Sequence, residues 1–281
     1  MSRTGDVVVV GAGVIGLAIA FELAERGAVV RVVDRGEPAG AASWAAAGML
    51  APYTERVRDA ALVRLCAASL REYPAFSARV AAASGIDPHL RLDGVIHAAF
   101  DGAQREALRR HARALDDEGV AYEMLDRDTL LAAEPWLGAA TVGGLKIGGE
   151  GCIDNRRLGR ALGAACAARG ASVERSSVVR VECDERRVLG IHTQLGFIAA
   201  GAVVNACGAW AGALGGVPPQ CAPPIAPIKG QMIALSPAQA GVRPGSRARR
   251  CGGPTRSRPS ASPRSLRSRR FRRGEPWSWP W

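Results

Sequence analysis

The sequence holds 281 residues, 48% of them hydrophobic, enough to bury a core of its own without a disulfide or metal scaffold. Its seven cysteines, at 66, 152, 166, 183, 207, 221 and 251, form no CxxC pair and have no histidine at zinc-site spacing; a zinc module is excluded and a reducing, cytoplasmic setting is expected. The net charge of +11 does not make the whole chain a nucleic-acid binder, because residues 1–240 carry 25 Lys and Arg against 25 Asp and Glu, and residues 241–281 carry 12 Arg against one Glu.

The uncharged run Val7 to Phe21 is bracketed by Asp6 and Glu22, has no basic flank and contains three glycines. It is shorter than the ~20 apolar residues of a spanning helix, so no membrane partner is expected. The run reads instead as a strand at Val7 to Val10, a glycine turn and a helix at Val14 to Arg26, closed by Gly27 and followed by a strand at Val29 to Asp34. Ile15, Ile19 and Leu23 recur at helical spacing, and the β-branched second strand has the character of a buried parallel one.

Gly11, Gly13 and Gly16 form GxGxxG between the first strand and the helix, and Asp34 ends the second strand. Gly11 would permit the tight turn, Gly13 would let a pyrophosphate approach the backbone, and Gly16 would allow close helix packing. The amides near Val14 and Ile15 would face phosphates, and Asp34 would accept a ribose hydroxyl and repel an NADP 2′-phosphate. This predicts a dinucleotide site without separating FAD from NAD. The small residues from Ser43 to Gly48, followed by Met49 and Leu50, read either as a packed helix or as a stretch that lets backbone approach a bulky ligand.

Helices are expected over Asp59 to Ala83 and Ala103 to Glu118, with strands at Leu92 to Phe100 and Thr141 to Ile147. Asp154 is expected to cap a helix from Asn155 to Arg169 that buries Leu158, Leu162 and Cys166. Strands at Val178 to Val181, Val188 to Thr193 and Ala202 to Asn205 return the chain to an α/β pattern, and Ile228 to Leu235 is a further strand candidate. Residues 241–273 are almost wholly Arg, Ser, Pro, Gly and Ala and are expected to be disordered. Trp277, Trp279 and Trp281 close the chain, and the segment has the composition of a GC-rich gene read out of frame, with a frameshift expected near residues 236–245.

The segments GAGVIG, VVD, SWAAAGMLAP, VVNACGAWA and PIKGQM occur in the order and approximate spacing of the glycine oxidase and D-amino-acid oxidase family of FAD-dependent oxidoreductases. Together they cover residues 1 to about 235, and the thiamine-pathway glycine oxidases are the members this sequence most resembles. The resemblance implies an α/β fold, with a Rossmann-like FAD-binding domain and a discontinuous antiparallel-sheet substrate domain that is incomplete here. The expected division is 1–84 and 148–215 for FAD, 85–147 and 216–240 for substrate, and 241–281 as an Arg, Pro and Ser-rich tail. It places FAD on Gly11, Gly13, Val14, Ile15 and Gly16 at the turn, on Asp34 and Arg35 at the adenosine, and on Ala42, Ser43, Ala47, Gly48 and Met49 along the ribityl and flavin. Val178 is carried over from the adenine-side strand, and Gly208, with Trp210 near it, from the second nucleotide-side motif.

The implied reaction is oxidative deamination of glycine, a small amine or a D-amino acid, with molecular oxygen as acceptor and hydrogen peroxide as product. The cofactor carries that chemistry, so no catalytic side chain is assigned. His89, His97, His111 and His192 are scattered without partners in sequence, and no metal site is expected. A bidentate arginine should orient the substrate carboxylate; family members place it beyond the KGQ strand, where no motif is matched here, so the chain as given is expected to be inactive and to hold flavin weakly. Sarcosine oxidase and D-amino-acid dehydrogenase are rival activities, and a homo-oligomer is compatible with an intact relative, the oligomeric state being left open by the sequence. Readings of another class are a non-catalytic flavin-fold scaffold and a protein whose Arg-rich tail binds nucleic acid; the interleaved aromatics of a base-stacking surface are absent from that tail through residue 270 and nucleic acid is not the expected partner.

Overall fold

A computed structural model describes residues 6–55, 59–135, 137–185 and 187–232. All of them belong to one compact unit, and residues 233–281 lie outside the described residues. The chain opens with β1 (Val7–Val10), α1 (Val14–Glu25) and β2 (Val30–Asp34), followed by a single helical turn α2 (Ala42–Ala45) and the short strand β3 (Met49–Leu50). Next come α3 (Ala60–Ser84), β4 (Val95–Ala99), α4 (Gly102–Asp117), β5 (Tyr122–Leu125), α5 (Arg127–Ala133), β6 (Gly143–Ile147) and β7 (Gly151–Cys152). The last regular elements are α6 (Asn155–Ala168), β8 (Ser172–Arg175), β9 (Val178–Cys183), β10 (Val188–Thr193), β11 (Gly196–Ala199) and β12 (Ala202–Asn205).

Four strands form a parallel sheet in the order β12-β1-β2-β8, with Val7 opposite both Val30 and Ala202 and Asp34 opposite Arg175. The all-valine β1 follows from burial on both faces. Val9 joins Leu17 and Phe21 of α1 and Leu158 and Leu162 of α6 in one core cluster. Val8 and Val10 point the other way and pack with Val181 of β9 and Ile191 of β10. The antiparallel meander β11-β10-β9 thus covers one face of the parallel sheet and the helices cover the other. A separate antiparallel sheet, β4-β6-β5, holds Ala99, Leu145 and Ile147 against Leu108 and Leu115 of α4.

Aspartates set most of the helix starts. Asp59, Asp101, Asp126 and Asp154 each accept amide hydrogens from the first turn of α3, α4, α5 and α6, respectively, a contribution of about 1 kcal/mol apiece. The helix expected at Asp59 to Ala83 is present as α3 and runs through Pro74 without ending. Proline removes one hydrogen bond from that helix, but on either side of it Tyr73 and Phe76 pack edge-to-face, and Phe76 meets Phe21 of α1 in the same way. Arg79, one turn further on, binds both Glu22 and Glu25 of α1.

The strand expected at Ile228 to Leu235 is not formed where it is described. Residues 222–232 carry no regular structure, Ile228 and Met232 are exposed, and 233–235 lie outside the described residues. An extended segment becomes a strand only when a neighbouring chain accepts its hydrogen bonds, and none of the described strands pairs with it. Among the described residues, no helix is long and apolar enough to cross a membrane.

Candidate cofactor site

The glycine turn sits at the C-terminal end of β1, where the chain passes to β2 on one side and β12 lies on the other. In an open parallel sheet such a switch point opens the crevice that takes ligands. Gly11 has φ +110°, and a Cβ there would lie 2.3 Å from the Ala206 carbonyl oxygen. At Gly16 a Cβ would lie 1.9 Å from the Gly11 oxygen, so α1 packs against the strand end with no room for a side chain. Gly13 is the residue before α1 and offers no side-chain cap, and the first turn of the helix holds no acid. The vacancy is partly filled from afar: the Ser43 hydroxyl accepts the Val14 amide at 2.9 Å.

Asp34 ends β2 and accepts two backbone amides, from Ala12 and from Gly36, each at 2.7 Å. The carboxylate expected to take a ribose thus also fixes the turn, and each oxygen keeps a second lone pair. Arg35 lays its guanidinium over the Trp210 ring, 4.9 Å from the centroid. Trp210 lies in a short 3₁₀ turn, Gly208–Ala213, that Gly208 opens with φ +56°. Cys207, just before it, has its thiol pushed upward by burial and by the Asp34 charge. Val178 begins β9, and the Ser176 amide donates to the Asp34 carbonyl at 2.8 Å, which brings the start of β9 to the end of β2.

The small-residue stretch is not a packed helix. Only Ala42–Ala45 are helical, and Ala42, Ala45, Ala46 and Ala47 are all exposed. What holds the stretch lies on α6. Asn155 donates its side-chain amide to the Ser43 and Trp44 carbonyls at 2.6 and 3.0 Å, and Arg156 stacks over Trp44 at 4.2 Å. Gly48, at φ +72°, has its Cβ position 2.0 Å from the Ile153 oxygen, and Met49 pairs with Cys152. Sequence reasoning missed Asn155 and Arg156, because nothing local shows that the start of α6 faces a segment more than a hundred residues earlier.

Ile15, Trp44 and the alanines present apolar surface beside an uncapped helix start, and the Ser176 hydroxyl is buried without a partner in the described structure. A long ligand with an anionic middle, an aromatic end and a polar ring system would meet all of these at once, and these residues therefore fit FAD. The predicted residues divide accordingly. Gly11, Gly13, Val14, Ile15, Gly16, Ser43, Asp34 and Arg35 gather around the turn; Gly208 and Val178 flank the end of β2; and Ala42, Ala47, Gly48 and Met49 run from α2 to β3, which pairs with β7. The histidines stand apart: His89 is in a loop, and His97, His111 and His192 are on β4, α4 and β10.

A parallel sheet with its glycine turn at the switch point, an acid at the end of β2 that accepts the turn's Ala12 amide and an antiparallel meander behind define a Rossmann-like dinucleotide-binding α/β protein. The sequence matches the family described as FAD dependent oxidoreductase (DAO) over residues 6–266, and the chain belongs to that family. The match runs beyond PIKGQM, where the recognisable motifs end. The chain is 36% identical over 233 residues to the glycine oxidase of Pseudomonas aeruginosa, covering 81% of this chain and 61% of that protein. It is also 36% identical over 233 residues to the bifunctional protein ThiO/ThiG of Trichormus variabilis, covering 82% of this chain and 34% of that protein. The crystal structure of glycine oxidase from Geobacillus kaustophilus superposes with a TM-score of 0.71 at 36% identity, over 74% of this chain and 56% of that one. The chain thus spans about a third to three fifths of the length of the relatives it matches.

Proposed function

We propose that the chain is the cofactor-holding part of an amine oxidoreductase that deaminates glycine or a small D-amino acid, with oxygen as electron acceptor and hydrogen peroxide as product. The observation that carries the reading is the glycine turn at the switch point with Ser43 reaching across to the Val14 amide. FAD, when bound, supplies the two-electron acceptor for the carbon that bears the amine. The protein's share is orientation and exclusion of water.

In this reading the Ile15 amide and the proton of the Ser43 hydroxyl, whose oxygen already accepts the Val14 amide, hold the pyrophosphate, and the free lone pairs of Asp34 take the ribose. Arg35 on Trp210 walls the adenosine from outside, and Val178 with the Ser176 hydroxyl meets the adenine. Ala42, Ala47, Gly48 and Met49 let backbone lie against the ribityl chain and the ring. Residues 1–84 and 148–215 form this side, with 85–147 and 216–240 as the substrate side. No described arginine is assigned to the substrate carboxylate, and the chain as given is proposed to be inactive with glycine and to hold FAD weakly.

The test is a titration of the purified chain with FAD, followed by addition of glycine, sarcosine or D-alanine under air and under an artificial acceptor without oxygen. Flavin uptake without peroxide release supports the reading. Uptake followed by reduction only with the artificial acceptor moves the activity to a dehydrogenase, and absence of uptake defeats the cofactor reading itself.

A further inference from the structure

The buried polar side chains among the described residues are four hydroxyls and one carboxylate, and that carboxylate, Glu150, has no exposed surface at all. It lies in the turn between β6 and β7, immediately before the strand that pairs with β3. One oxygen, Oε1, accepts the Tyr53 amide at 2.7 Å and the Thr54 amide at 3.1 Å; the other faces the Thr54 hydroxyl. The Glu150 carbonyl accepts the Gly94 amide at 2.9 Å. One residue therefore ties the chain leaving β3, the start of β7 and the approach to β4 across nearly a hundred positions of sequence.

We propose that Glu150 is a positioning residue for the cofactor site, holding the chain just past β3 so that Gly48 and Met49 lie in one place against β7 at the edge of the cleft. The inference rests on the reading that the cleft takes FAD. Gly48 and Met49 have no side-chain hydrogen bond of their own to fix them; their register comes from the Ile153 amide on the Gly48 carbonyl and from the short β3/β7 pair. A two-residue pair is weak by itself. The Glu150 fork extends its hold by Tyr53 and Thr54, on the far side of Leu50. Gly151, the next residue, is clamped equally closely, since a Cβ there would lie 1.9 Å from the Arg91 oxygen. Burial pushes the Glu150 carboxyl upward, and the nearby Glu55 charge acts in the same direction. The hold survives either protonation state, because Oε1 accepts amides in both and Oε2 either accepts from or donates to the Thr54 hydroxyl.

Glutamine reproduces the protonated arrangement and leucine removes it. With the full chain, Glu150→Gln should keep the FAD dissociation constant within about twofold of the unaltered protein, and Glu150→Leu should raise it at least about tenfold. Hydrogen exchange supplies the readout that needs no flavin: Glu150→Leu should speed exchange at the Tyr53 and Thr54 amides and leave those of β1 unchanged. A merely structural role would move both sets together and leave the FAD affinity of the folded fraction intact. Thr54→Val serves if the leucine variant does not fold, with faster exchange at residue 53 and weaker FAD binding expected. Unchanged FAD affinity in Glu150→Leu or Thr54→Val, or equal damage from glutamine and leucine, overturns the proposal. If the unaltered protein takes up no FAD, the functional reading fails on its own, while the exchange pattern still decides whether Glu150 anchors this segment.

Discussion

Gly16→Ala is the substitution whose consequence follows most directly from the geometry. The added methyl would stand 1.9 Å from the Gly11 carbonyl oxygen and 3.1 Å from its carbon, both backbone atoms that no rotamer change can move. Ordinary contact requires a further separation of roughly 1.5 Å between α1 and the end of β1. Overpacking of a tight core costs about 1–3 kcal/mol, and because α1 also carries Leu17 and Phe21 into the main cluster, the upper end, about 3 kcal/mol, is expected. For a chain of this size that lowers the melting temperature by roughly 6–12 °C. The internal control is Gly163→Ala in α6, where the added Cβ would meet nothing within 4 Å. Replacing a helical glycine by alanine there should stabilise by about 0.5–1 kcal/mol. Differential scanning calorimetry of both variants, with and without FAD, is the assay. Gly16→Ala should lose both stability and flavin affinity, and Gly163→Ala should lose neither. Equal melting temperatures for Gly16→Ala and the unaltered protein would refute the packing of turn against helix on which the site is built.

Ser43→Ala removes the hydroxyl proton placed to donate to the pyrophosphate, together with the acceptor of the Val14 amide, and should weaken FAD about tenfold in a fluorescence titration while shifting stability by only about 1 kcal/mol. Leu162→Ala, in the fully buried stripe of α6, should destabilise by about 2–5 kcal/mol in denaturant unfolding. Burial pushes the Cys166 thiol up to about 11, so a maleimide at pH 8 should label the exposed Cys221 quickly and Cys166 only after unfolding, as read by peptide mass spectrometry. Glu150 is a carboxyl raised above its unfolded value by burial; the folded state therefore binds its proton more tightly, and that share of stability is present at low pH and lost as pH rises from the ordinary glutamate range through the raised value. Melting temperatures of Glu150→Gln across that range should lack this decline.

The opening β1, α1 and β2 were legible because every local signal agrees there: valines buried on both faces, glycines where a side chain cannot fit, and an acid at the end of the second strand. The Asp154 cap and the stripe Leu158, Leu162 and Cys166 made α6 equally plain. β8 and β5 were missed because their residues, SVER and YEML, are mostly exposed and show no alternation; β8 exists because β2 offers it a parallel edge. The strand sought at Ile228 to Leu235 had the right residues and lacks a partner where it is described. At the site, the residues on the turn could be read from spacing, whereas the alanine run stayed ambiguous until its exposure excluded a packed helix. Asn155, Arg156 and Glu150 act on segments about a hundred residues away, and no periodicity reports contacts of that kind.

The central claim is that the turn from Gly11 to Gly16 and the stretch from Ala42 to Met49 enclose one dinucleotide along its whole length. Competitive binding of FAD and FMN to the purified chain tests it most directly, since FMN lacks the adenosine that Asp34, Arg35, Trp210 and Val178 are placed to meet. FAD should bind at least about a hundredfold more tightly than FMN, and equal affinities, or no binding of either, would contradict the account.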